Sequence, residues 1–220
     1  MNQSKKDLLD TLAGVARALG HGNRLELIER LAQSEAPVEA LADTTDLSVA
    51  NASQHLQQLR RAGLVTARRQ GRQVIYGLTD ERVVQLVGLL GDIAETNLAE
   101  AERLVSRLFS EEDADGALEP VSRETLRAGL ERGEVTLLDT RPEDEYRAGH
   151  LPGAINAPLD QLDQILDQLP RDREIVAYCR GPYCALSHEV VQRLTELGFR
   201  VRRFEEGFPE WKAAGLPVQA

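Results

Sequence analysis

Apolar positions in the first half of the chain recur at helical spacing. Leu8, Leu9, Leu12, Val15, Ala16 and Leu19 form one face of a helix that stops at Gly20. Asn23 is placed to cap a second helix carrying Leu25, Leu27, Ile28 and Leu31. Pro37 opens a short third helix with Val38, Leu41 and Ala42. After a turn at Asp46-Leu47-Ser48, the positions Val49, Ala52, Leu56 and Leu59 make one stripe on a fourth helix, ended by Gly63. Its opposite face carries Asn51, Gln54, His55, Gln58 and Arg61.

Past Gly63 the period changes. Leu64 to Arg68 and Gln73 to Leu78 read as two strands, joined by Arg69-Gln70-Gly71-Arg72 as a tight hairpin. Residues 80–109 then read as one long helix, with Val83, Val84, Leu86, Val87, Leu90, Ile93, Leu98, Leu104, Val105 and Leu108 as its apolar positions. That is more apolar surface than one thin domain buries, so the helix predicts a subunit interface, shared with the first helix; the plainer reading is packing on the domain's own core. In the second half, Glu174-Ile175-Val176-Ala177-Tyr178 reads as a buried strand. Leu186, Val190, Val191 and Leu194 follow at helical spacing and stop at Gly198.

Charge divides the chain where this pattern does. The 220 residues carry a net charge of −10, of which residues 1–110 hold about −1 and residues 111–220 about −9. Between the halves, residues 110–120 are acidic and punctuated by Gly116 and Pro120, which predicts a linker. The expected organisation is therefore a domain over 1–109, a linker over 110–120 and a domain over 121–220. With 42% hydrophobic residues, both parts can build real cores. No run reaches membrane-spanning length, and Met1 to Asp7 lead into no apolar segment of the signal-peptide kind. Two cysteines in one short loop suit a reducing cytoplasm better than a disulfide scaffold.

Within the near-neutral half, Ser48 to Thr79 contain no Asp or Glu but hold Arg60, Arg61, Arg68, Arg69 and Arg72. A short helix, a turn, a polar-faced helix and a basic hairpin describe a winged helix-turn-helix. Arginines free of neighbouring acids suit phosphate contact, and Asn51, Ser53, Gln54, His55 and Gln58 suit contact with base edges. With Arg61, Arg68, Arg69 and Arg72 these are the candidate DNA-binding residues; the plainer reading is a solvated helix face. His21 is expected in a turn.

The candidate chemistry lies in Cys179-Arg180-Gly181-Pro182-Tyr183-Cys184-Ala185. Cys179 falls where a strand ends and a tight loop leads into a helix, the place where open α/β sheets bind ligands. Inward-pointing amides, the helix dipole and Arg180 would all favour the thiolate, which is the nucleophile. The plainer reading is a small buried hydrophobe.

This stretch resembles the active-site loop of the rhodanese family of sulfurtransferases. So do Leu137-Leu138-Asp139-Thr140-Arg141, Glu145-Tyr146, Gly149 to Asn156, Leu197-Gly198-Phe199, Glu206-Gly207-Phe208 and Trp211, in that order from about Val121 to the C-terminus. The resemblance implies a persulfide on Cys179, taken from a sulfane-sulfur donor and passed to a thiol acceptor. Arg180 would stabilise the thiolate or hold an anionic donor, and Gly181, Tyr183, Cys184 and Ala185 would offer backbone N–H groups. Asp139 and Arg141 are candidates for lining the pocket, the alternative being a structural ion pair. His150 reads as structural and Trp211 as core. Two positions depart from the family pattern. Pro182 stands where glycine is usual and removes an N–H. Cys184 stands where a hydroxyl residue or Arg is usual, and supplies a second thiol able to resolve a persulfide.

The first half resembles the arsenic-repressor (ArsR) family of bacterial regulators, on Asn23-Arg24-Leu25 and Ala52 to Val65, over roughly residues 8–109. That resemblance implies a homodimer on an operator, usually as a repressor. Residues 1–178 contain no cysteine, so a thiolate metal site there is excluded. Cys179, Cys184 and His188 have no clear fourth ligand. No metal or cofactor is expected.

The resulting expectation is two domains: an N-terminal, mainly α winged helix-turn-helix, and a C-terminal α/β rhodanese-like domain with a central parallel sheet. The expected function is a cytoplasmic DNA-binding regulator whose Cys179 senses or carries sulfane sulfur. The alternatives are a sulfurtransferase enzyme with an attached DNA-binding domain, and a regulator switched by a Cys179–Cys184 disulfide.

Overall fold

The computed structural model describes residues 2–109 and 119–220. The expected linker lies for the most part outside the described residues. The chain forms two compact units, Met1–Val87 and Gly88–Ala220.

The first unit starts with α1 (Gln3–Leu19) and α2 (Gly22–Gln33). The residue capping α2 is His21 rather than the expected Asn23: its Nδ1 accepts from the Asn23 N–H at 3.2 Å. A histidine ring nitrogen can accept that bond as a carboxamide oxygen would, so cap chemistry is preserved two residues earlier. A two-residue strand, β1 (Ala36–Pro37), precedes α3 (Val38–Thr44). Ser48 caps α4 (Val49–Arg61) through its hydroxyl, which accepts from the Asn51 N–H. Ala52, Leu56 and Leu59 are fully buried, as their stripe requires, but Val49 at the helix start is 46% exposed. Strands β2 (Val65–Gln70) and β3 (Gln73–Leu78) form the antiparallel hairpin, Gln70 facing Gln73. Gly71 at φ +62° makes the two-residue turn that the strand twist demands. The sheet order is β1-β3-β2. Leu27, Ile28, Leu31, Leu41, Leu56, Leu59, Leu64 and Tyr76 form the core.

The helical stretch after the hairpin is two helices, not one: α5 (Arg82–Asn97) and α6 (Ala99–Leu108), divided at Leu98, whose backbone is extended. Val83 and Val84 are buried, whereas Leu86, Leu89, Leu90, Ile93, Leu98, Leu104 and Leu108 are exposed.

In the second unit, Ser122 caps α7 (Arg123–Glu131). Then follow β4 (Val135–Asp139), α8 (Glu143–Ala148), β5 (Ile155–Asn156), α9 (Leu162–Ile165), β6 (Glu174–Cys179), α10 (Ala185–Glu196), β7 (Val201–Gly207) and α11 (Phe208–Ala213). The four strands are parallel in the order β5-β4-β6-β7. Successive side chains of β6 point to opposite faces. Val176 and Tyr178 join Leu126, Phe204, Phe208 and Trp211 on one side. Ile175 and Ala177 join Leu162, Val190, Leu194 and Phe199 on the other. A parallel sheet covered on both faces leaves its strand ends as the open edge, and the central strand β6 ends at Cys179.

Candidate functional site

Cys179 is the last residue of β6 and is only 1% exposed. The chain then turns through Arg180-Gly181-Pro182-Tyr183 to Cys184, which occupies the cap position of α10. The two cysteines are joined as a disulfide, with their Cα atoms 6.2 Å apart. The loop therefore brings both thiols of the chain to one point, within the span that a disulfide bridges without moving the backbone.

The loop is held from four sides. Arg180 donates through Nε and Nη2 to Glu145 on α8, at 2.6 to 3.0 Å. Gly181 rests on Gly207: a Cβ at Gly207 would collide with the Arg180–Gly181 backbone, so only glycine allows this approach. The Gly207 N–H donates to Glu210 Oε2 at 2.9 Å. Pro182 accepts from Arg203 Nη1 at 3.0 Å, and Tyr183 donates its hydroxyl to Glu95. Cys184 donates its N–H back to the Gly181 carbonyl at 3.2 Å. Of the expected backbone donors, that of Cys184 is thus turned into the loop itself. Ala185, first residue of α10, is exposed.

Beneath the loop lies a buried polar brace. Asp139 and Arg141 have side chains of zero exposure and pair at 2.6 Å. They face the core rather than an open pocket. Arg141 also donates to the Gly149 carbonyl at 2.7 Å and sits over the Phe208 ring. Burial opposes its charge, but the hydrogen bonds and charge of Asp139 outweigh that and raise its pKa. Tyr178, next to Cys179, donates to Asp139 Oδ2 at 2.7 Å and accepts from the Leu151 N–H. Burial, reinforced by Asp139, pushes the Tyr178 phenol far above its ordinary range. This brace ties the ends of β4 and β6 to the Gly149–Leu151 segment. His150 stacks on Tyr146, and Trp211 is buried.

On the first unit, Asn51, Gln54 and Arg61 of α4 are exposed and Ser53 is half-buried. His55 and Gln58 are half-buried and engaged with α2. The His55 ring lies 4.6 Å from that of His21, and Gln58 Oε1 accepts from Arg24 Nη1 at 2.5 Å. Burial, with His21 and Arg24 close by, lowers the His55 pKa. Arg68, Arg69 and Arg72 are exposed on the hairpin. Arg68 pairs with Glu35 at 2.6 Å, a contact in open solvent that weakly restrains it.

Several residues at the site have no local signal in the sequence. Glu145 and Gly207 stand inside recognisable segments, but their partners lie far along the chain. Nothing local marks Glu95, Arg203 or Glu210. Among the described residues, no group of three His, Cys, Asp or Glu is arranged to hold a metal ion. Among the same residues, no helix is long and apolar enough to cross a membrane.

Comparison with known proteins agrees with both halves of this geometry. Residues 122–214 match the rhodanese-like domain family, and residues 19–68 a helix-turn-helix domain family. The HTH-type transcriptional regulator Rv0324 of Mycobacterium tuberculosis is 44% identical over 215 residues, which cover 97% of this chain and 92% of that protein. A sulfurtransferase of Allochromatium vinosum is 32% identical over 88 residues, 40% of this chain and 80% of that one. The solved homodimeric winged helix-turn-helix domain of a possible ArsR-family regulator from Mycobacterium bovis is 39% identical, with a TM-score of 0.42. It covers 46% of this chain and 93% of that one.

Proposed function

Because the chain belongs to the HTH-type transcriptional regulators, joining an ArsR-type winged helix-turn-helix to a rhodanese-like domain, we propose that it converts sulfane sulfur into a change in operator binding. Residues 1–109 serve as the DNA-binding and dimerisation part, residues 110–120 as the linker, and residues 121–220 as the sulfur-handling part. The protein works in the cytoplasm as a homodimer, usually to repress.

The observation that carries this reading is the bonding contact of Cys179 and Cys184 at the end of the central strand. In the reduced protein, the Cys179 thiolate attacks the outer sulfur of a persulfide donor R–S–SH. This leaves Cys179–S–SH and releases RS⁻. The Cys184 thiol then attacks Sγ of Cys179, closes the Cys179–Cys184 disulfide and expels the added sulfur as hydrogen sulfide. Two thiols are oxidised, and the donor sulfur is reduced to sulfide.

The exposed leucines of α5 and α6 support dimerisation, because apolar faces of that length require a partner. Asn51, Gln54 and Arg61 on α4, with Arg68, Arg69 and Arg72 on the hairpin, are the DNA contacts this reading uses. Tyr183 connects the loop to α5 through Glu95, so the state of the cysteines has a route to the helix that carries the apolar face.

The test is intact-protein mass spectrometry after brief exposure to an organic hydropersulfide, with operator binding measured on the same samples. Wild type gains one sulfur, about 32 Da, at Cys179 or closes the disulfide, and its operator affinity changes. Cys184→Ser accumulates the persulfide. Cys179→Ser does neither, and full retention of the DNA response in that variant would refute the reading. A plain oxidant that closes the disulfide and changes DNA binding equally well, with no sulfur ever added, would favour a thiol-redox switch. Rapid multiple turnover with an acceptor thiol would favour an enzyme.

A further inference from the structure

The charges set around the cysteine loop point to the class of sulfur donor. This rests on the proposed persulfide chemistry and narrows it. Each side of the loop meets a carboxylate. Glu145 holds Arg180, the residue after Cys179, by three hydrogen bonds, and both side chains are less than one-fifth exposed. Glu210 accepts from the N–H of Gly207, the residue paired with Cys179 across the sheet. A Cβ on Gly181 would lie 3.6 Å from its Oε1. Glu95 accepts from Tyr183, the residue before Cys184. Asp92 lies one helical turn before Glu95 on α5. The Tyr183 phenol is raised by burial first and then by Glu95, Asp92 and Glu210, so all three carboxylates act on the same spot.

Among the described residues, the two guanidiniums bonded at the loop are both committed. Arg180 is held by Glu145, and Arg203 donates to the Pro182 carbonyl. The amide cradle is depleted as well. Pro182 has no N–H, and Cys184 donates its own to Gly181. A dianion such as thiosulfate needs free cations or convergent amides to approach a thiolate. Here it meets a loop whose cations are committed and whose Tyr183 is flanked by the carboxylates Glu95, Asp92 and Glu210.

We propose that the site discriminates by charge, taking sulfur from organic hydropersulfides and rejecting thiosulfate. In the accepted reaction the Cys179 thiolate attacks the terminal sulfur of neutral R–S–SH. The S–S bond of the donor breaks, a new one forms to Cys179, and RS⁻ leaves to take a proton from water. Rejection of thiosulfate is electrostatic: its terminal sulfur is as transferable, but it carries two negative charges toward the carboxylates.

The experiment measures the rate of sulfur loading on Cys179 by intact-protein mass spectrometry of the full-length, pre-reduced protein. Cysteine hydropersulfide and thiosulfate are supplied separately at low and high salt, with Cys184→Ser to hold the persulfide. Hydropersulfide is expected to load faster than thiosulfate by about tenfold or more, a gap that narrows with salt. Glu145→Gln, which releases Arg180 from a carboxylate, should raise the thiosulfate rate several-fold more than it changes the hydropersulfide rate, so the ratio between the two donors narrows. Glu95→Gln and Asp92→Asn together provide the same test from α5, should Glu145→Gln not fold. Equal loading by the two donors overturns the discrimination and leaves the persulfide reading standing. Slow thiosulfate loading that none of the charge variants relieves overturns the electrostatic cause. Failure of both donors to modify Cys179 overturns both readings.

Discussion

Tyr183 donates its hydroxyl to Glu95 on α5, and Gly91, one turn earlier, leaves the space that the tyrosine occupies. The tyrosine sits between Pro182 and Cys184, inside the segment whose ends are the two thiols. Any change in the loop that moves Cys184 moves its neighbour Tyr183. A loop reaction can thus be felt at a helix that takes no part in the chemistry.

Glu95→Ala should separate chemistry from response. With an organic hydropersulfide as donor, the variant is expected to load sulfur on Cys179 and close the disulfide at about the wild-type rate by mass spectrometry. The ratio of operator affinities between reduced and treated protein should shrink by about fivefold, the lower end of ordinary coupling between sites. Tyr183→Phe in the same background should add nothing, because the bond is already gone. An undiminished DNA response in Glu95→Ala would exclude this route.

Gly207→Ala tests how tightly the loop is seated. The new methyl group has no room against the Arg180–Gly181 backbone, so the loop must lift. Overpacking of this kind costs about 1–3 kcal/mol. Thermal unfolding should show the loss in the rhodanese-like domain, and the reduced cysteines should react faster with a thiol-alkylating reagent. Unchanged stability together with unchanged thiol reactivity would contradict the observed contact.

Tyr178→Phe removes one hydroxyl that serves two buried partners, Asp139 and the Leu151 N–H. Leaving them without it should cost about 1–3 kcal/mol in denaturant unfolding. The pH dependence has a definite sign. The folded phenol ionises far above the unfolded one, so the hydroxyl contributes fully below about pH 10 and progressively less as pH rises above it. Wild type should therefore lose more stability than Tyr178→Phe between neutral and strongly alkaline pH. Parallel profiles would show that the hydroxyl is not what the brace depends on.

What the sequence discloses is what periodicity and local chemistry encode. The stripe of Ala52, Leu56 and Leu59, the glycine turn at Gly71 and the strand ending at Cys179 all depend on neighbours a few residues away. The break at Leu98 is hidden, because a leucine there suits a continuous helix as well as an interrupted one. His21 does not stand out as a cap, because histidine rarely plays that part. At the site, Arg180 is legible as a cation but not as a neutralised one, since Glu145 lies 35 positions earlier and only the fold brings them together. His55 and Gln58 look like DNA-facing side chains from helical spacing alone. Their engagement with His21 and Arg24 depends on how α2 crosses α4.

Arg24 makes that crossing specific, which gives the last prediction. Its guanidinium donates to Gln58 on α4 and, at 2.9 Å, to the Arg17 carbonyl at the end of α1, while the residue itself is only 8% exposed. It therefore ties three helices together behind the proposed DNA face without belonging to that face. Arg24→Ala should lower operator affinity together with the unfolding temperature, and should weaken specific and nonspecific DNA alike. Gln54→Ala, on the exposed side of α4, should leave stability unchanged and relax discrimination at one base pair by about 1–3 kcal/mol. Arg72→Ala at the hairpin turn should weaken all sequences evenly and reduce the salt dependence of binding by about one unit of slope. The three variants separate support, base reading and phosphate contact. A loss of sequence discrimination in Arg72→Ala, or of stability in Gln54→Ala, would reassign those residues.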